Sequence, residues 1–331
     1  MSGMMPRNVL ALAAVLAIAG ASGADLTPGD YKFEMTHGER VRSYLVHVPS
    51  DTLVSPWPVV INLHGSGSSG AGQQNYSRMD LLADREGFVV VYPNGTGVLS
   101  EHLLTWNAGT CCGYGQSNEV DDVGFVRAMV DDLGTRLTID RTRIYVTGLS
   151  NGAMLAYRLA VEAPDLIAAI APVAGAMLPQ PFAPRHPMSI LHIHSVDDSR
   201  ALFEGGLGPP YPLTTISVLH PAVQDVLRLW AEFDGCPGQP AIEAPIHGTG
   251  ASAAHSAVRI SYGPCRDEVE VVLWKLTGPG HVWPGGAAQY LSALLGSQSK
   301  TLGPATDVID ANERIWEFFS AHRLRQTAAP D

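Results

Sequence analysis

The chain has no cluster of lysine and arginine, and its acidic residues outnumber the basic ones 32 to 21, for a formal net charge of −11. A phosphate backbone is held by a basic patch, so this composition argues against nucleic-acid partners. No stretch is long and apolar enough to cross a bilayer, a short N-terminal run included, so no membrane anchor is expected. Repeats and low-complexity tracts are absent, which removes solenoids and flexible linkers. There are only four cysteines, and adjacent Cys111-Cys112 lacks the spacing of zinc ligands. Cys236 and Cys265 are expected to pair as a disulfide, closing a Gly/Pro-rich loop that otherwise has little to hold it. A Cys111–Cys112 bridge would be a strained vicinal ring, and both states of that pair stay open.

The N-terminal run is of a different kind. Arg7 precedes an apolar stretch over residues 9–19, and small residues follow, ending Ser22-Gly23-Ala24. A positive residue, a short apolar core and a small-x-small end make a secretory leader. Residues 1–24 are therefore expected to be cleaved before Asp25, leaving an exported protein. Residues 25–331 suit a single α/β domain.

Short apolar runs over residues 58–63 and 87–92 read as buried strands, with a polar, helix-compatible stretch between them. Val123, Val126, Val130, Leu133 and Leu137 recur at spacings of three and four, which predicts an amphipathic helix. Further strands are expected over residues 167–173, 189–194 and 269–276, with a closing helix over 307–324. Strands alternating with helices imply a mostly parallel sheet covered on both faces. The Pro/Gly-rich stretches near residues 205–212 and 235–250 read as excursions from that core.

Arg143-Ile-Tyr-Val-Thr-Gly-Leu-Ser-Asn-Gly-Ala-Met-Leu-Ala-Tyr157 is a strand, then Gly148-x-Ser150-x-Gly152, then a helix. A strand that turns sharply into a helix through a serine exposes its Oγ above the sheet, as in the nucleophile elbow of the α/β-hydrolases. In that fold the order along the chain is serine, acid, histidine, and the carboxyl ends of the strands line one crevice. Ser195-Val-Asp197-Asp198 follows one predicted strand, and Thr277-Gly-Pro-Gly-His281 follows another. His281 is thus the expected base for Ser150, with an aspartate holding its tautomer. An oxyanion hole needs two backbone N–H groups. Asn151 supplies the one after the nucleophile, and Ser66, in the loop after the first strand, is placed to supply the other. His192 and His194 share one strand face and could ligate a metal together, but no convergent acidic partners are evident. No cofactor or metal is expected.

Four stretches carry a resemblance to a known family. They are Leu63-His64-Gly65, then Trp106-Asn107-Ala108-Gly109 with Cys111-Cys112-Gly113, then the run Tyr145 to Met154 through Ser150, and then Gly278-Pro-Gly-His-Val-Trp-Pro-Gly285. Together they resemble the secreted esterases labelled polyhydroxybutyrate depolymerase or feruloyl esterase, within carbohydrate esterase family 1. The resemblance runs over about residues 30–319 and implies the α/β-hydrolase fold with a metal-free serine esterase activity. The family's acid loop usually reads His-Gly-Thr-x-Asp. Here it reads His194-Ser-Val-Asp-Asp198, so counting from His194 puts the acid at Asp198, and the lost Gly-Thr alters the turn.

Trp283, two residues beyond the base, and Trp106 are expected to flank the nucleophile as an aromatic slot for the acyl group, with His64 beside them at the substrate. Packing of the loops is the competing reading for both rings. The expected substrates are feruloyl or acetyl esters of plant cell walls, or related small esters, hydrolysed by a monomer. Poly(3-hydroxyalkanoate) hydrolysis is the alternative, and no polymer-binding module is expected beside the domain. A catalytically inactive binding protein on the same fold is a more distant reading, as is a metallohydrolase built on His192 and His194.

Overall fold

Uninterrupted apolar runs form the middle of the sheet, because strands buried on both faces have no solvent side to mark with polar residues. The computed structural model describes residues 26–50, 55–99, 101–179, 181–210, 217–290 and 300–325. The leader expected over residues 1–24 lies outside the described residues. Strands β3 (Trp57–Leu63), β4 (Val89–Pro93), β6 (Ala169–Val173) and β7 (Ser189–Ser195) are buried at every position. They join β5 (Ile139–Leu149) and β13 (Val271–Thr277) in parallel, in the order β4-β3-β5-β6-β7-β13.

Antiparallel strands flank this core on both sides. On one side β1 (Gly29–His37) and β2 (Arg40–Val48) form a hairpin, and β2 pairs with β4. On the other, β12 (Ser256–Tyr262) pairs with β13 and carries two-residue strands, β10 (Ala241–Ile242) and β11 (Ile246–His247). A separate two-stranded pair, β8 (Gly206–Leu207) with β9 (Leu219–His220), lies in the excursion after β7. The β1–β2 turn is Gly38-Glu39, where Gly38 takes φ 59°. A two-residue hairpin needs that left-handed position, and glycine adopts it without strain.

Helices cover both faces, the layering of the α/β-hydrolase fold. Helices α4 (Asp122–Gly134), α5 (Asn151–Glu162) and α6 (Val223–Phe233) bury their apolar sides in one core cluster with Val59 and Ile61. Val60, pointing the other way, belongs to the second cluster. There it meets α1 (Gly70–Ser77), α2 (Asp80–Glu86) and the C-terminal helix Ala311–Ser320. Asp121 caps α4 by accepting from Gly124 N at 2.8 Å, and Asp310 caps the C-terminal helix by accepting from Glu313 N at 3.2 Å.

Cys236, just past α6, and Cys265, just past β12, lie with their sulfurs at bonding distance, as do Cys111 and Cys112. The first pair ties a helix end to a strand end across 29 positions. Replacing both Cys236 and Cys265 by serine is expected to lower stability by roughly 3–4 kcal/mol, from loop-closure entropy. Thermal melts of wild type and double variant check this, and ester hydrolysis should survive below the lowered melting point.

Asp234, at the end of α6, is fully buried, and its carboxyl oxygens have no hydrogen-bond partner among the described side chains. Burial pushes its pKa up to about 7, with Met188's backbone and the charge of Arg266 only partly offsetting it. The folded form therefore holds a proton that the unfolded chain gives up near pH 4, so stability falls as pH rises from about 4 to 7. Asp234→Asn should remove this downward contribution, so its stability relative to wild type grows as pH rises from about 4 to 7 and exceeds wild type at pH 8 by a few kcal/mol at most, at about 1.4 kcal/mol per pH unit. A profile that keeps its slope would contradict this.

Candidate active site

Ser150 stands where β5 turns into α5, at φ 56° and ψ −116°. For a residue with a Cβ this is strained backbone, held only where the surroundings leave no alternative. Two hydrogen bonds fix it: Ser150 N donates to Val173 O at 2.9 Å, and Ser150 O accepts from Met154 N at 3.0 Å. The carboxyl end of β3 presses against the turn. A Cβ on Gly148 would lie 2.7 Å from Leu63 O, and one on Gly152 only 2.5 Å from it. Both positions require glycine because backbone occupies the space.

Asp198 and His281, the expected acid and base, come from later loops along the same sheet edge. His281 Nδ1 lies 2.7 Å from Asp198 Oδ2, and both residues are buried. Asp198 Oδ1 accepts from Arg200 N at 2.7 Å and from Ala201 N at 2.9 Å. Burial alone would raise the Asp198 pKa, but the imidazoles of His281 and His194 outweigh it and hold the carboxylate well below its usual range. A charged carboxylate fixes the Nδ1–H tautomer of His281 and leaves Nε2 as the basic nitrogen. Asp197 faces elsewhere: its Oδ2 accepts from Gly278 N at 2.6 Å and so steadies the turn that leads to His281.

The loop after β3 lies against the serine, since a Cβ on Gly65 would sit 3.5 Å from Ser150 Cβ. Gly65 O accepts from Ser68 N at 3.2 Å and from His64 Nδ1 at 2.8 Å. His64 Nε2 accepts from Gly95 N at 3.0 Å, so the proton is on Nδ1. Burial pushes this imidazole down to about 4, with the Gly65 carbonyl opposing the shift and the Arg42 charge adding to it. His64 is thus a neutral clamp on the Gly65–Ser66 peptide. With Gly65 O turned into the protein, the Ser66 N–H of the same planar peptide points the opposite way.

Asn151 is also committed. Its Oδ1 accepts from Trp106 N at 2.7 Å and its Nδ2 donates to Trp106 O at 3.1 Å. The loop it grips is anchored in turn by Asp122, which accepts from Asn107 N and from Arg42 Nη2, each at 2.7 Å, with Arg42 and Asp122 both buried.

The aromatic slot expected from Trp106 and Trp283 is not present. Trp106 is 0% exposed and donates Nε1–H to His64 O at 2.9 Å. Trp283 is 2% exposed, donates Nε1–H to Asn312 Oδ1 at 3.1 Å, and donates its backbone N–H to Tyr76 OH at 2.9 Å. His64 is likewise 0% exposed. The indole N–H groups needed partners, and loop packing supplied them. All three side chains brace the site from behind rather than line it.

The nitrogens of His192 and His194 are taken up as well, by Tyr157, by each other and by Ala201 O, which leaves no convergent lone pairs for a metal. Among the described residues, Asp30, His47 and Asp80 form the one group with close ligand atoms. There His47 Nδ1 pairs with Asp30, while Asp80 accepts from Tyr92 and Gln74. A further imidazole, His220 on β9, is buried near Asp198 and His281, and burial pushes it down to about 4, with the nearby His194 adding to the shift. Sequence reasoning missed it because nothing marks residues 219–220 as a strand returning to the site.

Residues 42–254 match the family model described as esterase PHB depolymerase. The chain belongs to that family. A putative esterase of Nocardia uniformis is 29% identical to this family member over 84% of the chain and 80% of its own length. A bifunctional acetylxylan esterase/xylanase of Neocallimastix patriciarum is 28% identical over 77% of the chain. A feruloyl esterase B of Piromyces equi is 26% identical over 68%. The chain spans 32% and 39% of the lengths of those last two. Among solved structures, a dienelactone hydrolase-like promiscuous phosphotriesterase superposes with a TM-score of 0.56 at 15% identity, over 89% of this chain and 98% of its own. At that identity the match speaks for the fold alone.

Trp283→Ala is expected to cost about 3–5 kcal/mol of stability, as for other large buried rings. Measured well below its melting point, it should lower kcat/KM for methyl ferulate and for p-nitrophenyl acetate to a similar extent. A loss confined to the aromatic ester would restore the slot.

Proposed function

We propose that this esterase is an exported serine carboxylic ester hydrolase that works through an acyl-enzyme, with Ser150 as nucleophile, His281 as base and Asp198 as the acid that orients it. The observation that carries the reading is the buried 2.7 Å contact between His281 and Asp198, in loops that share a sheet edge with the strained Ser150 turn. His281 Nε2 takes the Ser150 proton as Oγ attacks the ester carbonyl. The oxyanion is received by the backbone N–H groups of Asn151 and Ser66, at the start of α5 and in the clamped loop. His281 then gives the proton to the leaving alcohol, and water repeats the sequence to release the acid. Every proton acceptor and donor in the cycle is a side chain or water, so no cofactor is called for.

Feruloyl and acetyl esters of plant cell-wall polysaccharide, or related small esters, are the proposed substrates, in line with the acetylxylan and feruloyl esterases among the relatives. A poly(3-hydroxyalkanoate) depolymerase of Paucimonas lemoignei, 34% identical over 39% of the chain, supports polyester hydrolysis as the second reading. The enzyme is proposed to act as a monomer after loss of its leader. An inactive binding protein has no need to keep serine, acid and histidine together, and this chain retains all three.

Ser150→Ala should leave a folded protein and cut ester hydrolysis by about 10⁴–10⁶. A phosphonate adduct mapped to any other serine would reject the nucleophile. Asp198→Asn should cost about 10⁴ in kcat, whereas Asp197→Asn, which disturbs only a backbone contact, should cost about tenfold or less. The reverse ranking would move the acid by one position. A panel of feruloyl, acetyl and hydroxybutyryl esters ranked by kcat/KM separates the two substrate readings.

A further inference from the structure

Tyr157 lies on α5, the helix that starts at the nucleophile turn, and His192 and His194 occupy one face of β7, the strand that leads to Asp198. All three are buried, at 0%, 0% and 1% exposed. Tyr157 OH is 2.9 Å from His192 Nδ1, His192 Nε2 is 2.9 Å from His194 Nδ1, and His194 Nε2 is 2.7 Å from Ala201 O. The same His194 Nε2 is 3.3 Å from Asp198 Oδ2.

The direction of each bond follows from the last one. A carbonyl oxygen only accepts, so His194 Nε2 carries the hydrogen. A neutral His194 then has an accepting Nδ1, which requires the hydrogen on His192 Nε2. His192 Nδ1 accepts in turn, and Tyr157 donates. One arrangement of hydrogens satisfies the whole line.

We propose that Tyr157, His192 and His194 are positioning residues that together hold one N–H against Asp198 Oδ2 and so fix the carboxylate that orients His281. The inference rests on the reading of Ser150, His281 and Asp198 as the catalytic set. The Asp198 carboxylate accepts from His281 at Oδ2 and from Arg200 N and Ala201 N at Oδ1, and the His194 N–H, bonded to Ala201 O, stands 3.3 Å from Oδ2 as a further positive dipole. The line also joins the helix behind the nucleophile to the loop that carries the acid. Two imidazoles buried in an apolar cluster cost stability that leucine or valine would not. Burial, with the neighbouring His194 adding to it, pushes the His192 pKa well down, so His192 stays neutral where the enzyme works. No proton moves along the line.

The charged and titratable groups around this junction are His281, His220, Arg200 and Asp197, with Tyr157 and His192 behind. Loss of the His194 N–H would make Asp198 more basic and hold the proton on His281 more tightly. The acid limb of kcat/KM should then move to higher pH.

Imidazole ¹H–¹⁵N spectra of the wild-type protein should show His192 as a neutral Nε2–H tautomer, unchanged between pH 6 and 9, and a hydrogen on Nε2 of His194. An Nδ1–H tautomer at either residue overturns the proposal. His194→Leu should lower kcat by about 10- to 100-fold, as expected for one lost hydrogen bond to a charged group, with KM little changed. The same variant should raise the acid-limb pKa by roughly one unit. His194→Gln, which keeps an N–H donor at similar reach, should recover most of both. Tyr157→Phe is the milder variant if His194→Leu does not fold, and it should move both quantities the same way by less. Profiles indistinguishable from wild type across the folded variants overturn the line. Asp198→Asn run beside them separates the failures. Full activity there removes the catalytic set and the proposal with it, whereas an inactive Asp198→Asn beside a flat His194 series removes the line alone.

Discussion

The close approach of β3 to the turn at Ser150 is the constraint on which the site depends. Strained backbone at a serine persists only if neighbouring groups forbid relaxation. Leu63 O fills the space where Gly148 and Gly152 would carry a Cβ, while Val173 O holds Ser150 N from the β6 side. The turn is therefore wedged between the two strands that flank β5, and the parallel register of β3, β5 and β6 sets the position of the serine. A site on loops alone would have no such wedge. Here the loops hang from strand ends, and the sheet fixes where each begins.

A second layer of constraint is polar and buried. Isolated charges and unpaired imidazoles are expensive inside a protein, so each must be matched by donors and acceptors. Arg42 meets Asp122, which holds the Trp106–Asn107 loop, which is gripped by Asn151, the residue after Ser150. His64 links the same loop to the Gly65–Ser66 peptide through Trp106 Nε1 and its own ring. Removal of any one member leaves another polar group unpaired, so the network behaves as a unit. The N–H groups proposed to receive the oxyanion thus belong to peptides whose orientation is set by side chains behind the site.

How much of this was legible in the sequence depends on which signal each residue leaves. The strands that became β3, β4, β6, β7 and β13 are continuous apolar runs, and a residue buried on both faces announces itself by composition. The turn at Ser150 is legible because glycine and serine spacing reflects backbone space directly. His281 and the Asp197-Asp198 pair follow from topology, since parallel strands put their following loops on one edge, and the family resemblance chooses Asp198 between the two. The β1–β2 hairpin was not seen, because an edge hairpin alternates charged and apolar residues and its Gly38-Glu39 turn is unremarkable as text. Trp106 and Trp283 were misplaced for another reason. Proximity along the chain to a catalytic residue does not say which side of the loop a ring occupies, and the need of a buried indole N–H for a partner drew both inward. His192 and His194 looked like a metal pair because period-two spacing places them on one face. Their partner, Tyr157, comes from a helix 35 positions earlier, and nothing local in the sequence reveals it.

The same burial decides how the protein responds to acid. His64 and His220 are pushed down to about 4, and His192 well below its ordinary value, in each case chiefly because a charged imidazole cannot be solvated there. The unfolded chain takes up these protons near pH 6.5, while the folded protein refuses them until about pH 4 at His64 and His220, and well below the usual imidazole range at His192. Stability contributed by these groups is therefore complete above pH 6.5 and falls as pH drops towards 4. Asp198, held below its usual range by its imidazole neighbours, adds to the loss at still lower pH, and so does Asp140, which Thr142 and Arg143 hold at about 2 against the opposing effect of burial. Asp234 acts in the opposite sense, as do the carboxyls of Asp80 and Asp122, which burial also raises. The buried imidazoles nonetheless give the fold a specific sensitivity to acid. The neutral imidazoles gathered around Asp198 and the Gly65–Ser66 loop are its cause: groups that orient the candidate site are also groups that acid disturbs.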